Sequence, residues 1–264
     1  MECWSVGVLK PITPPRQSSI TPPPLLPMSA PIPSIRPRQI FKLVEDKFPD
    51  QNVEITLTMP PSAIGSLLTL ESSLLVALLK ITEARNIFEI GTYNGNTALL
   101  IANNTPADAV VTTLDLPPDD IEMHDASKLD LADANQNDQF LRQIFKTQGA
   151  FYVNRASPAF RSKVRLLNEN SLTFDPVARG LVGTQDVIFV DGGHDYETIK
   201  NDTLKAFQMA KPDSVIIWHD YLSKIHTEVE VYLRDLAVEK KLIGIGSTML
   251  CVCFQGKYAE LFND

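Results

Sequence analysis

The chain has 264 residues, enough for one large domain or for one domain with an appendage. Apolar residues make up 44% and charged residues 21%, so a sizeable core is available, and no apolar run reaches membrane-spanning length. The formal net charge of -8, with no local basic patch, argues against nucleic acid as a partner.

The N-terminal stretch MECWSVGVLKPITPP lacks the basic-then-apolar pattern of a secretory signal. Residues 11–38 hold ten of the 19 prolines, a spacing that no helix or sheet survives. Residues 1–38 therefore read as a disordered, extended arm, either a plain flexible arm or a docking site for a proline-binding module. Met28 follows the densest proline run and is a second candidate start, which would make the first 27 residues dispensable. The globular part is placed at residues 39–264. IFKLVEDKF reads as a short helix and VEITLT alternates like a strand. Ser66 to Arg85 is a long apolar run at helical spacing without proline.

Five apolar, β-branched runs follow: NIFEIG, AVVTTLDL, KVRLLNE, DVIFVDG and SVIIWHD, with helix-like segments between most of them. That order predicts a parallel sheet covered on both faces. LIGIG and TMLCVCF lie close together and predict an antiparallel hairpin at the end of the sheet. Cys251 and Cys253 share a face of that last strand, so they do not pair; with Cys3 they read as thiols of a reducing, cytoplasmic compartment. The stretch 117–162 is longer than the roughly dozen residues a crossover needs, so it contains an insertion. Its first part carries seven acids against Lys128, and reads either as a lid or binding loop or as a solvated excursion.

NIFEIGTYNGNTALLIA is the most specific segment. A strand ends at Gly91, a turn leads to Gly95, and a helix begins whose N-terminus aims free N–H groups at a ligand. The spacing G-x-x-x-G lacks the third glycine of the dinucleotide fingerprint. Asp115 ends the next strand, where a carboxylate can accept hydrogen bonds from both ribose hydroxyls. Together these features point to an adenosine-type ligand.

These blocks resemble the cofactor site of class I S-adenosylmethionine-dependent methyltransferases. With GSLLTLESSLL, VDGGHDYETIKND and IIWHDY they resemble the family Methyltransf_24, from about residue 62 to the end. The resemblance implies that Glu89, Gly91, Thr92 and Gly95 line the methionine part of the cofactor and that Asp115 holds the ribose. It implies that Asn170 and Ser171 lie by the adenine, with Asn170 standing where the family usually has an acid. Asn170 can still donate and accept hydrogen bonds. It also implies that Asp191 lies near the reacting methyl.

In a doubly wound sheet the fourth and fifth of these runs are neighbours, so Asp191, His219 and Asp220 should meet at one end, with His194 close by. Two mechanisms fit. Asp191, His219 and Asp220 could hold a divalent cation, which in the methyltransferases of this kind that use one orients acceptor hydroxyls; His219 in place of an acid puts Mg²⁺ in question. Alternatively His194 or His219 is a general base. Blander roles also exist. His194 or Asp195 could start the following helix, and His219 could be a buried histidine satisfied by backbone. His124 and His226 read as solvated, as do Lys200 and Asp202 on a helix face. Trp218 and Tyr221 read as core and rim.

The expectation is a Rossmann-like, doubly wound α/β protein with a seven-stranded, mostly parallel sheet and a terminal antiparallel hairpin. It would move a methyl group from S-adenosylmethionine to oxygen or nitrogen of a small-molecule acceptor. The alternatives are a nicotinamide-nucleotide oxidoreductase and a non-catalytic cofactor-binding scaffold. No nucleic-acid or membrane partner is expected, and a homodimer is left open.

Overall fold

A computed structural model describes residues 29–58 and 64–262. The expectations for Cys3, for Met28 as a start and for the prolines before Ser29 lie outside the described residues. In chain order the strands are β1 (Ser34–Ile35), β2 (Asn86–Ile90), β3 (Val110–Asp115), β4 (Val164–Asn168), β5 (Gln185–Val190), β6 (Ala210–Trp218), β7 (Ile243–Ile245) and β8 (Cys251–Phe254). The helices are α1 (Pro37–Lys47), α2 (Thr69–Thr82), α3 (Asn96–Asn104), α4 (Ala134–Gln148), α5 (Phe151–Asn154), α6 (Pro158–Arg161), α7 (Tyr196–Met209) and α8 (Thr227–Leu236). Among the described residues no helix is long and apolar enough to cross a membrane.

The strands form one sheet in the order β1-β7-β8-β6-β5-β2-β3-β4. The five expected parallel strands are its body, and β8 runs antiparallel to both β6 and β7 as the terminal hairpin. The sheet has eight strands rather than seven. The extra one is β1, which pairs parallel with β7 at Ser34–Gly244 and Ile35–Ile245. The ordered body therefore begins inside the stretch expected to be a disordered arm. Pro33 and Pro37 flank β1, and Pro37 occupies the first helical turn of α1, where a missing N–H costs nothing.

VEITLT is not a strand. Its backbone polar groups find a side chain instead: Thr56 N–H donates to Asn104 Oδ1, and Asn104 Nδ2 donates to Thr56 O, both at 2.8 Å. Alternation is only half of a strand; a neighbour with free backbone groups is the other half.

Successive strand residues feed two cores. Ile87, Val187, Phe189 and Ile217 pack on the face covered by α1, α2 and α3. Phe88, Ile188, Ile216 and Trp218 pack on the face covered by α7 and α8. Each such fully buried side chain contributes on the order of 1.5–3 kcal/mol of transfer free energy. Trp218 settles its one polar atom by donating from Nε1 to Thr203 Oγ1 at 2.8 Å. Cys251 and Cys253 are buried free thiols, and burial pushes both pKa values up, Cys253 to about 11.

The chain leaves β2 towards β3 and β4, then returns to the other side of β2 with β5 and β6. The direction reverses between β2 and β5, and a crevice opens beyond their carboxyl ends.

Candidate active site

The reversal point is marked by a backbone contact. Gly91 has φ +101°, and a Cβ there would lie 1.9 Å from the carbonyl oxygen of Asp191. Only glycine fits that approach. Beyond it lies a cavity of about 380 Å³, within the range of small-molecule and cofactor sites. Gly91, Asp115, Asn170, Ser171, Asp191 and His194 line it, together with His219 and Asp220.

One end of it is built by β2, β3 and β4 and the residues that follow them. Asp115 accepts from Tyr93 N–H and Leu116 N–H, both at 2.8 Å. Burial outweighs those bonds and raises its pKa to about 6. Tyr93 holds a left-handed φ of 46°, a cost its bond to Asp115 helps to offset. Asn170 spends Oδ1 on a local turn, accepting from Leu172 N–H at 2.9 Å. Glu89 and Thr92 do not line the cavity; they are buried under it. Thr113 Oγ1 donates to Glu89 Oε2 at 2.5 Å and lies 2.6 Å from Thr92 Oγ1. Burial lifts the Glu89 pKa well above the usual range, and its Oε1 has no partner. Gly95 also stands away from the cavity. A Cβ there would meet Val153 Cγ2 at 2.9 Å and Ala150, so its smallness admits α5 against α3.

The other end is a chain of acids and imidazoles. His219 Nδ1 lies 3.2 Å from Asp191 Oδ1 and 3.1 Å from Asp220 Oδ2. On its far side His219 Nε2 lies 3.5 Å from Glu71 Oε2. Glu71 is fully buried on α2 and also accepts from Leu68 N–H and Met249 N–H. Burial opposes a charge on His219, but the charge of Asp191 and contacts with Asp191, Asp220 and Glu71 win and raise its pKa well above the usual value. His219 is thus ringed by carboxylates rather than by backbone: Nδ1 bonds Asp220, while Nε2 near Glu71 has no hydrogen-bond partner. Asp220 sits at a left-handed φ of 58°, which turns its carboxylate back towards both histidines.

His194 Nδ1 lies 2.6 Å from Asp138 Oδ1, and its Nε2 lies 3.0 Å from Asp220 Oδ2 in poor alignment for a hydrogen bond. Burial again opposes the charge, but the two carboxylates prevail and lift His194 to about 10. Against burial, the neighbouring imidazoles hold Asp220 well below the usual carboxylate range. The start of α7 is settled by Asp195, whose side chain accepts from Thr198 N–H and Oγ1–H at 3.0 and 2.6 Å. His194 is not the cap.

Two further positions differ from the expectation, and at a third, the insertion, one of two alternatives is met. His226 is buried, not solvated, and its ring stacks on His194 with centroids 3.8 Å apart. Asp202 is fully buried beneath Gly192, and burial raises its pKa to about 6. The acidic insertion follows its binding-loop alternative: Asp138, Leu141, Arg142 and Phe145 of α4 line the cavity as its roof. Asp138 and Glu71 escaped sequence reading. The signal for Glu71 was its place three residues after Leu68 at a helix start; Asp138 had none beyond being one acid among seven.

Residues 88–221 match the family Methyltransf_24, a methyltransferase domain. No curated protein matches the chain. Among solved structures, methyltransferase PaMTH1 of Podospora anserina, bound to S-adenosylhomocysteine, aligns at 15% identity over 83% of this chain and 88% of its own, with a TM-score of 0.50. O-methyltransferase TomG of Streptomyces achromogenes, bound to S-adenosylmethionine, aligns at 15% identity over 83% and 90%, with a TM-score of 0.47. An O-methyltransferase of Bacillus cereus, bound to S-adenosylhomocysteine, gives 14% identity over 83% and 91%, with a TM-score of 0.44. At such identities the first of these speaks for the fold alone. The family match spans just over half of the sequence and runs from within β2 to the turn after β6, so the chain belongs to the Methyltransf_24 family and is a class I S-adenosylmethionine-dependent methyltransferase.

Proposed function

We propose that the enzyme methylates an oxygen or nitrogen of a small-molecule acceptor, with the reacting atoms between Asp191 and the neighbouring imidazoles. The observation that carries this reading is the polarity of the cavity: Asp115 and Asn170 at one end, Asp191, His219, Asp220 and His194 at the other. The chain's own atoms fit the cofactor. Gly91 leaves backbone bare at the reversal point, and the carboxylates of Asp115 and Asp191 line the same cavity. Asp115 would hold the ribose, Asn170 and Ser171 the adenine, and Gly91 with Asp191 the methionine end.

Bound S-adenosylmethionine supplies the methyl group already activated as a sulfonium. The residues then have two tasks, to orient the acceptor and to take its proton. Held at about 10 by Asp138 and Asp220, His194 is charged at neutral pH and donates hydrogen bonds rather than accepting a proton. That leaves Asp191, 3.2 Å from His219 Nδ1, as the carboxylate placed to take the proton and gives His194 an orienting role.

A second reading has its own observation. One ligand atom each from Asp191, His219 and Asp220 lies within 4.8 Å of the others, the arrangement a cation needs. An imidazole with two carboxylates suits Mn²⁺, Fe²⁺ or Zn²⁺ better than Mg²⁺, and such an ion would polarise an acceptor oxygen.

Calorimetric titration with S-adenosylhomocysteine and with NAD⁺, with and without EDTA, tests the cofactor assignment. Binding of S-adenosylhomocysteine alone is expected; binding of NAD⁺ alone would overturn it. An Asp191→Asn variant that turns over an identified acceptor at the wild-type rate would remove Asp191 from the chemistry. Turnover indifferent to EDTA would remove the cation.

A further inference from the structure

Asp138, His194 and His226 come from three separate segments: α4 in the insertion, the β5–α7 turn, and the residue before α8. Asp138 Oδ1 lies 2.6 Å from His194 Nδ1 and 3.8 Å from His226 Nδ1. The rings are nearly parallel at 20°, so both Nδ1 atoms converge on the same carboxylate oxygen. One ligand atom from each residue lies within 4.8 Å of the others. His226 is 5% exposed, and its Nδ1 has no hydrogen-bond partner. A buried imidazole nitrogen with nothing to bond is a standing cost.

We propose that Asp138, His194 and His226 form a second cation site, separate from Asp191, His219 and Asp220, that takes Zn²⁺ or a similar late first-row divalent ion and fastens α4 to the cavity rim. Two imidazoles and one carboxylate are the donor set such ions prefer, and they suit Mg²⁺ and Ca²⁺ poorly. The surroundings carry a further mark of a metal site. With Nδ1 on the ion, the Nε2 of His194 is left 3.0 Å from Asp220 Oδ2, a carboxylate placed behind a ligating histidine, which a small turn of the ring would bring into line. The ion takes the place of the proton that His194 Nδ1 shares with Asp138, releasing it to solvent, and gives the unpartnered Nδ1 of His226 a bond; the charge that His194 carries without the ion is then supplied by the ion. All three ligands line the cavity, so the open coordination positions face it, where water or an acceptor heteroatom can bind. The site does not depend on the identity of the acceptor or on a cation at Asp191.

The test uses the full chain, stripped with EDTA and dialysed, then titrated with Zn²⁺ by calorimetry and with Co²⁺ by visible absorption. Expected is one equivalent of Zn²⁺ whose affinity falls by more than about 100-fold in both His226→Ala and Asp138→Asn, a larger loss than that of an outer-shell partner. Asp191→Asn should retain that equivalent. Circular dichroism and a thermal melt check that each variant folds. The nitrogen shifts of the histidine rings in the unaltered protein give an independent reading, with Nδ1 of His194 and His226 moving on addition of Zn²⁺. Uptake that is lost only in Asp191→Asn assigns the ion to the other cluster and overturns the proposal. So does a lack of uptake, or histidine shifts confined to His219.

Discussion

Asp115 and Asp202 show how burial gives two carboxylates of one chain opposite uses. Asp115 faces the cavity with a pKa raised to about 6, so its ability to accept hydrogen bonds weakens as the pH drops through that value. S-adenosylhomocysteine affinity should therefore fall on acidification below about pH 6, and Asp115→Ala should lose about 10- to 100-fold at neutral pH, as expected for a charged hydrogen bond. Calorimetry at several pH values reads both. Asp202 faces no ligand. Burial raises its pKa from 3.8 to about 6, so the folded state holds the proton more tightly than the unfolded chain. Stability thus falls as the pH rises from the unfolded to the folded value, and the full penalty, up to about 3 kcal/mol, persists above it. Asp202→Asn should raise the denaturation midpoint at about pH 8 and leave it nearly unchanged at about pH 4. Asp202 was misread because its place on a helix face suggested solvent; the backbone of Gly192 covers that face.

Among the elements, α2 does more than fill the core. Its Glu71 joins the helix start, the Met249 amide before β8 and His219 after β6. Glu71→Ala leaves two amides without their acceptor and takes one of three carboxylates from the buried His219, and should cost roughly 3–5 kcal/mol in urea denaturation. Glu71→Gln, which keeps two acceptor positions, should cost less. The parallel strands, the hairpin and the end-of-strand residues Gly91, Asp115 and Asp191 were legible because each rests on local pattern: apolar runs, a glycine where backbone bends, an acid where a strand stops. Gly95 shows the limit. A glycine announces that space is needed, not what takes it, and here the claimant is Val153 from the insertion. Asp138 and His226 were illegible for the same reason, since the path of the insertion over the site, and that of the turn before α8, is set by tertiary packing and not by any spacing in the chain.

At the scale of the molecule, the sheet closes its hairpin side with residues that sequence alone assigned to an arm. Pro33 O and Ile35 O accept from Gly244 N–H and Gly246 N–H at 2.8 Å. Truncation through Arg36 should uncover the β7 edge, lower the melting temperature and promote association at that edge, readable by light scattering. The opposite rim has a different design. There α4 roofs the cavity without joining the sheet, and Asp138 holds it to His194. With α4 over the cavity, spent cofactor is expected to depart on a timescale set by motion of that helix as well as by its own contacts. Release of S-adenosylhomocysteine should then slow in viscous solvent while single-turnover methyl transfer does not. An enzyme built this way would be limited by its door, and evolution could tune its throughput on α4 without touching a residue that meets the methyl group.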